Sequence, residues 1–482
     1  MQSARRSRCS RSPATCCFKN LNREAWRAGR KGLATYRPNT IVGAVLQTDA
    51  PQQPASVICV QELQRMTDPS GAGWRWRHLL AAPHRLGFFL AMVVLGASAL
   101  WWTAVQLQRI GLLPAAPMAL PPSLVHGTVM TFGFFPLFFC GFLFTAGPRW
   151  LGVPGPAAPR LLPALAAQAA GWLVWLAGSH VHAALAAAGL VLAASGLLRA
   201  TLLFRSLVRA SGQSDRVHPQ LAGAALAIGC AVLAALAAAV WTGALFSAHL
   251  LVATGLWGFV ALVFVAAGHR MIPFFAAPGG TALAAGGEWS TLWLLAGTML
   301  FEALAVWLQQ WLVAAPLWQL TRAALELAAG SLLLWLAAAW TRASNLRIRL
   351  LAMLHAGLVW IALALLLQAG TALRGWYSGD PAPPLAGLHA LAMGGFGSLM
   401  LAMVTRVSAA HAGRPQVADN LIWSLFWLLQ AATLLRIAAT LPWAPAQPLL
   451  TAAAALWAAV VLAWGVRYGS GYGRIAITAR QH

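Results

Sequence analysis

The stretch Leu385-Ala-Gly-Leu-His389-Ala-Leu-Ala-Met393-Gly-Gly-Phe-Gly397-Ser-Leu-Met-Leu-Ala-Met-Val-Thr405 contains no Asp, Glu, Lys or Arg. Arg406 closes it on one side, and Pro383-Pro384 and Gly379-Asp-Pro381 precede it on the other. A helix rises 1.5 Å per residue, so about 20 apolar residues cross the hydrocarbon core of a bilayer. This run has that length, and similar runs recur along the chain. They lie at 86–105, 123–146, 161–178, 182–203, 221–240, 242–267, 290–311, 316–340, 349–372, 385–405, 420–440 and 447–466. Turn-forming residues separate several of them: Gly147-Pro148, Val153-Pro-Gly-Pro156, Pro278-Gly-Gly280 and the two breaks before residue 385. The pattern predicts an all-α integral membrane protein of about twelve transmembrane helices.

Composition agrees. The chain is 60% hydrophobic and 9% charged, against about 45–50% and about 25% for soluble domains. A soluble enzyme of this composition could not cover its own surface. Disorder requires low hydrophobicity, and a disulfide scaffold requires a denser cysteine pattern than six in 482 residues. The net charge of +23 follows topology. With the N-terminus placed inside, all of the 33 lysines and arginines except Arg109, Arg322, Arg374 and Arg436 fall on the inner side. That bias predicts both termini inside. Contact with anionic lipid accounts for the basic charge, and no nucleic-acid partner is needed.

Residues 1–77 differ from the rest. They hold both lysines, Lys19 and Lys31, and the cysteines Cys9, Cys16, Cys17 and Cys59. They read as a basic, disordered N-terminal extension ahead of a membrane domain at 78–482, and Met66 is an alternative functional start. The cysteine spacings match no zinc pattern. Trp101, Trp102, Trp150, Trp241, Trp289, Trp311, Trp318 and Trp376 fall near span ends, where the ring suits the membrane interface. They are expected to be anchors rather than a ligand cage.

Polar groups at bilayer depth are costly, so they are functional candidates. His126, His249 and His389 fall toward the outer side, in the second, sixth and tenth spans. His84, His269, His355 and His411 fall toward the inner side, His180 and His182 in an outer turn, and His78 at a solvated end. Both His126-Gly-Thr-Val-Met130 and His389-Ala-Leu-Ala-Met393 place His and Met on one helical face, beside glycines. Imidazole ligates haem iron, thioether suits haem or Cu(I), and glycines would let a flat macrocycle lie against the backbone. The alternatives are helix-to-helix hydrogen bonds for the histidines and core packing for Met130 and Met393. Glu302 and Glu326 are the intramembrane carboxylates, and Arg322 can bond Glu326 along one face. They form either a structural ion pair or a proton or substrate path.

The stretch from His389 through Thr405-Arg406-Val-Ser408 to His411-Ala-Gly413-Arg414-Pro resembles the signature of the NnrS family. Arg270-Met-Ile-Pro-Phe-Phe275, Pro83-His-Arg-Leu-Gly-Phe-Phe89 and Leu354-His-Ala-Gly-Leu-Val-Trp360 resemble further elements of it. The resemblance implies a multi-pass protein of the bacterial inner membrane that carries haem, of b type, and copper. It implies a role in the nitric-oxide and nitrosative-stress response of denitrification, with nitric oxide or iron-nitrosyl species as partners. The candidate cofactor residues are His126, His249, His389, Met130, Met393, His84, His269, His355, Arg406, His411 and Arg414. His126, His389 and His249 are the candidate metal ligands. Arg85, His269, Arg270, Arg406, His411 and Arg414 are expected to meet in one inner basic patch.

One departure bears on copper. The family's second span carries His-x-His-Glu-Met, where this chain has His126-Gly-Thr128-Val129-Met130. The same segment, with Phe134-Phe-Pro136 and Gly141, is also similar to the second span of haem–copper oxidases and nitric oxide reductases. Their low-spin haem hangs between spans two and ten. This chain lacks their His pair in span seven and has Gly387 where a second span-ten histidine would stand. A degenerate subunit of that type and a secondary transporter built on Glu302, Glu326 and Arg322 are the rival functions. Neither turnover nor oligomeric state is assigned by the motifs.

The charge bias yields a direct expectation for topology. Reporter fusions after residues 115, 212, 313, 345 and 380 are expected to report outside, inside, outside, inside and outside. Two neighbouring fusions reporting the same side would overturn the inside placement of the termini.

Overall fold

The computed structural model describes residues 73–276, 289–313, 315–343, 345–379, 385–412 and 414–474. The N-terminal extension as far as residue 72, with Met66 and its cysteines, lies outside the described residues, as do Pro278-Gly-Gly280 and Gly413.

Among the described residues, twelve helices are long and apolar enough to cross a membrane. In chain order they are α1 (Pro83–Arg109), α2 (Pro122–Leu151), α3 (Ala158–Val181), α4 (Ala183–Ala210), α5 (Val217–Trp241) and α6 (Leu245–Ile272). There follow α7 (Trp289–Leu312), α8 (Pro316–Ala343), α9 (Arg349–Ser378), α10 (Leu385–His411), α11 (Asn420–Ala438) and α12 (Ala446–Tyr472). No strand is present among the described residues. A 3₁₀ turn, Trp76–Ala81, precedes α1. Trp74 rests on Phe89 with ring centroids 5.7 Å apart. His78, expected in solvent, instead bonds through Nδ1 to the Gly473 carbonyl at 2.7 Å.

Helix ends follow local chemistry. Gly152 and Gly379 stop α2 and α9 at φ of +63° and +69°, where a Cβ would be strained. The Gly147-Pro148 pair, expected to break the chain, sits inside α2. Pro148 removes one hydrogen bond near the helix end, and the helix runs on to the Gly152 cap. The break in α2 comes earlier, between Phe132 and Phe135. Pro136 has no N–H for the preceding turn, so the ladder is interrupted there. Asp419 caps α11 by accepting from the Ile422 N–H at 2.9 Å and pairs with Arg467 at 2.8 Å. The Ile422 N–H, then the Arg467 guanidinium, hold its carboxyl below the usual carboxylate range.

Two helices contain π turns, Leu256–Ala261 in α6 and Ala390–Gly397 in α10. Such i→i+5 turns shift the face a helix presents and occur often at functional sites. The same helices are central. The most apolar windows of α2, α6 and α10 are 83%, 72% and 83% buried, against 28% and 33% for α7 and α8. The chain therefore packs around α2, α6 and α10, with the less buried pair at the periphery.

Small residues set helix spacing, as expected where lipid supplies no hydrophobic drive for association. A Cβ on Gly171 of α3 would lie 2.5 Å from the Gly189 carbonyl oxygen of α4, and one on Gly189 would lie 2.7 Å from the Gly171 carbonyl oxygen. Backbone meets backbone there, so nothing can yield. Gly171→Leu is expected to lower the thermal midpoint in detergent, an overpacking cost of about 1–3 kcal/mol or more. Gly370→Ala, where an added Cβ meets nothing within 4 Å, is expected to be neutral or stabilising. Equal midpoints for the two variants would refute the close-packing account.

Candidate functional site

Helices α2, α6 and α10 run in the same direction, and each carries a histidine near its start. His126 follows Pro122, His249 follows Leu245, and His389 follows Leu385 by one helical turn. All three line one cavity of about 840 Å³. Met130 and Met393 line it as well. The π turn containing Met393 does not carry it off that wall. The three outer histidines and both methionines predicted from the sequence are therefore brought together.

The imidazoles are not equivalent. His389 Nδ1 lies 2.8 Å from the Leu385 carbonyl, and His249 Nδ1 lies 2.9 Å from that of Leu245. A carbonyl only accepts, so Nδ1 carries the proton in both rings and Nε2 keeps its lone pair. His249 Nε2 is 3.4 Å from the Ser123 hydroxyl. His126 lies flat on Trp102, with centroids 4.0 Å apart and planes 19° from parallel. Its Nδ1 is buried without a hydrogen-bond partner, which is costly unless something else binds the ring.

Below the histidines the same three helices are joined by phenylalanines. Phe264 of α6 and Phe396 of α10 stack at 4.4 Å and 3°. Phe135 of α2 meets both edge-on, at 5.5 and 6.2 Å. Phe134 and Phe135 form part of the cavity wall. This aromatic floor closes the cavity toward the centre of the bundle and fixes the histidine-bearing turns above it.

Two wall residues were not expected. Trp102 was assigned to the interface, but it lines the cavity and stacks on His126. Trp241 and Trp311, by contrast, are 69% and 76% exposed, as anchors should be. Arg436 of α11 lines the cavity, and the ion pairs among the described residues do not include it. A signal for it was present: Arg322 and Arg436, two of the four basic residues that violate the charge bias, both line this cavity. A third, Arg109, lies over Trp102 at 5.6 Å.

The glycines of α10 do not form a flat bed. A Cβ on Gly394 would meet Trp360, one on Gly395 would meet Ile361 and one on Gly397 would meet Leu429. They admit the neighbouring helices α9 and α11. In α2, Gly127 does face the cavity, with His126, Met130 and Thr131. Thr128 and Val129 are fully buried on the helix's other faces. Among the described residues no three His, Cys, Asp or Glu side chains come together as a metal site.

Arg322 also faces the cavity. It donates to Glu326 at 2.7 Å, the expected pair along α8, and to Glu302 of α7 at 3.3 Å.

The inner residues lie far from this site. His411 follows His389 on α10, and His84 precedes Trp102 on α1, by about 30 Å of helix in each case. Several local contacts involve them. His84 and His411 face each other at 4.1 Å. Arg85 beside them donates to the carbonyls of Tyr472 and Arg474 at 3.3 and 2.8 Å. His269 bonds His218 at 2.9 Å, next to the Arg270–Asp215 pair. His355 bonds Thr341 at 2.7 Å. Arg406 lines a separate small cavity with Leu354 and Gln416, and Arg414 is exposed.

Comparison with known families gives one result. The family model described as NnrS protein matches residues 78–474. No curated protein matches the chain.

Proposed function

The chain belongs to the NnrS family, and on that premise we propose that it is a haem-binding protein of the bacterial cytoplasmic membrane acting in the nitric-oxide and nitrosative-stress response. The observation that carries this reading is the meeting of His126, His249 and His389 on one apolar cavity. Its volume of about 840 Å³ lies within the range of about 300–1,000 Å³ typical of ligand and cofactor pockets.

The residues fit a haem. His126 offers a ring with an orphaned buried nitrogen, and His389 presents Nε2 because its Nδ1 is committed to Leu385. A second partner on Nδ1 fixes the tautomer and the ring direction, as is usual for histidines that bind metal. These two residues would hold the iron of the group. Arg436 would meet a carboxylate of the group. His249, with Nε2 toward Ser123, is assigned a hydrogen-bonding role. Trp102 and Phe135 hold the site dry, and Met130 and Met393 fill its walls. When bound, the haem supplies one-electron chemistry and an iron able to take nitric oxide.

Copper fits less well. The described residues assemble no three-ligand site from His, Cys, Asp or Glu, and Thr128 and Val129 stand where the family carries His and Glu. The reading is therefore one haem, with no step assigned to copper.

Detergent-purified protein is expected to be coloured, with a low-spin haem spectrum. His126→Ala and His389→Ala are each expected to lose that spectrum or convert it to high spin, while His249→Ala keeps it. Arg436→Gln is expected to keep the spectrum at lower haem occupancy. A colourless wild-type protein would favour a transporter. An unchanged reduced-minus-oxidised spectrum in either His126→Ala or His389→Ala would refute the axial pair.

A further inference from the structure

Beside the cavity, α7 and α8 bring together three buried ionisable side chains, of which Arg322 lines it. Glu302, Arg322 and Glu326 are 1%, 8% and 1% exposed. Arg322 uses one oxygen of each carboxyl group, Oε1 of Glu326 and Oε2 of Glu302. The other two oxygens, Glu302 Oε1 and Glu326 Oε2, are buried and receive no hydrogen bond. Both carboxyl groups bind nitrogens of the same guanidinium, Nε for Glu326 and one terminal nitrogen for Glu302, so they are close neighbours.

Charge counting shows what is missing. With both carboxyls ionised, one guanidinium faces two negative charges, and an uncompensated charge in low dielectric costs several kcal/mol or more. Like charges at this separation oppose joint ionisation. With both protonated, Arg322 would be the uncompensated charge. One proton resolves both problems. It makes the cluster neutral, and its O–H donates from one bare oxygen toward the other carboxyl group. A carboxyl pair sharing a proton explains the orphaned oxygens, which a simple ion pair would leave unsatisfied.

We propose that Glu302 and Glu326 hold one exchangeable proton between them, and that the cluster serves as the proton store of the His-lined cavity through Arg322. Arg322 is the member that reaches the cavity wall, so charge entering the cavity acts on the cluster through it. A negative charge arriving there, as an electron or an anion, draws on Arg322 and favours retention of the proton. Its departure weakens that hold on the proton without emptying the site. The other titratable or charged groups on the cavity wall are His126, His249, His389 and Arg436. The adjoining helices α6 and α9 also carry His269, Arg270, Arg349, His355 and Arg374. None of these enters the cluster's ion pairs. The proton site stands without the haem. Its service to the cavity rests on the cavity being the functional site.

Infrared spectroscopy of the full chain in H₂O and D₂O tests the site. The whole chain has only 10 Asp and Glu, so the background of acid signals is low. At neutral pH the wild type is expected to show one protonated-carboxyl stretch that moves in D₂O. Glu302→Gln and Glu326→Gln should each abolish it, because the remaining carboxylate ionises against Arg322 while the amide preserves the hydrogen bonding. Arg322→Gln should raise it about twofold, since both carboxyls then take protons. Monodispersity by size exclusion verifies that each variant is folded. A wild type without the band, or a band surviving in either Glu→Gln variant, would overturn the shared proton. Reduced-minus-oxidised infrared spectra test the link to the cavity: the band should change with redox state, and an invariant band in a coloured protein would refute that link. A colourless protein that shows the band and loses it in both Gln variants keeps the proton site and defeats the haem assignment instead.

Discussion

The contact on which the rest depends is the stack of Phe264 on Phe396 with Phe135 set edge-on to both. It joins α2, α6 and α10, the three most deeply buried helices, at the level just beneath their histidines. In a bilayer, lipid is as apolar as any side chain, so helices associate through close packing and directed contacts. Offset and edge-to-face rings supply such contacts with a defined geometry. Because the helices are held at this point and run in parallel, the turns above it open onto a shared volume. The cavity is thus a consequence of where the helices are pinned.

The histidine set was legible in the sequence because depth is legible. An apolar run fixes where a span begins, alternation fixes its direction, and His126, His249 and His389 then fall at one level. The Arg322–Glu326 pair was legible from i,i+4 spacing. Glu302 was legible as an intramembrane carboxylate, but its bond to Arg322 was not, because it crosses between helices. Gly394, Gly395 and Gly397 were misread for a related reason: a glycine marks close approach, but the sequence does not say by what. Here the approaching groups are Trp360, Ile361 and Leu429. The π turns were also invisible, since no residue pattern distinguishes them from an α-helix.

The inner residues illustrate a second limit. His84, Arg85, His269, His355, Arg406 and His411 share a side of the membrane, and family motifs run through all of them. Sharing a depth gave no lateral position, and the twelve-helix cross-section is wide enough to hold several separate contacts. Arg85 bonds backbone carbonyls, His269 another histidine and His355 a hydroxyl, and His84 faces His411, contacts of the kind that secure helix ends. At the opposite end the same ambiguity was resolved by α2, α6 and α10 being neighbours, which rests on the phenylalanines rather than on the histidines.

Two opposite imbalances lie on and just behind the cavity wall. Arg436 has no carboxylate among the described ion pairs, while Glu302 and Glu326 share a single guanidinium. A protein that needed only stability could set the surplus acid against the surplus base, since desolvated charges are costly when unmatched. This chain keeps them on different helices, α11 against α7 and α8. Each imbalance then requires its own neutralising species: an anionic group for Arg436 and a proton for the carboxyl pair. The chain's scarcity of buried acids makes these charges conspicuous, and their shared cavity also carries the histidine with an unsatisfied nitrogen, His126. Incomplete polar groups in and beside one cavity of a largely apolar bundle are the observation on which the proposed haem and the proposed proton both rest.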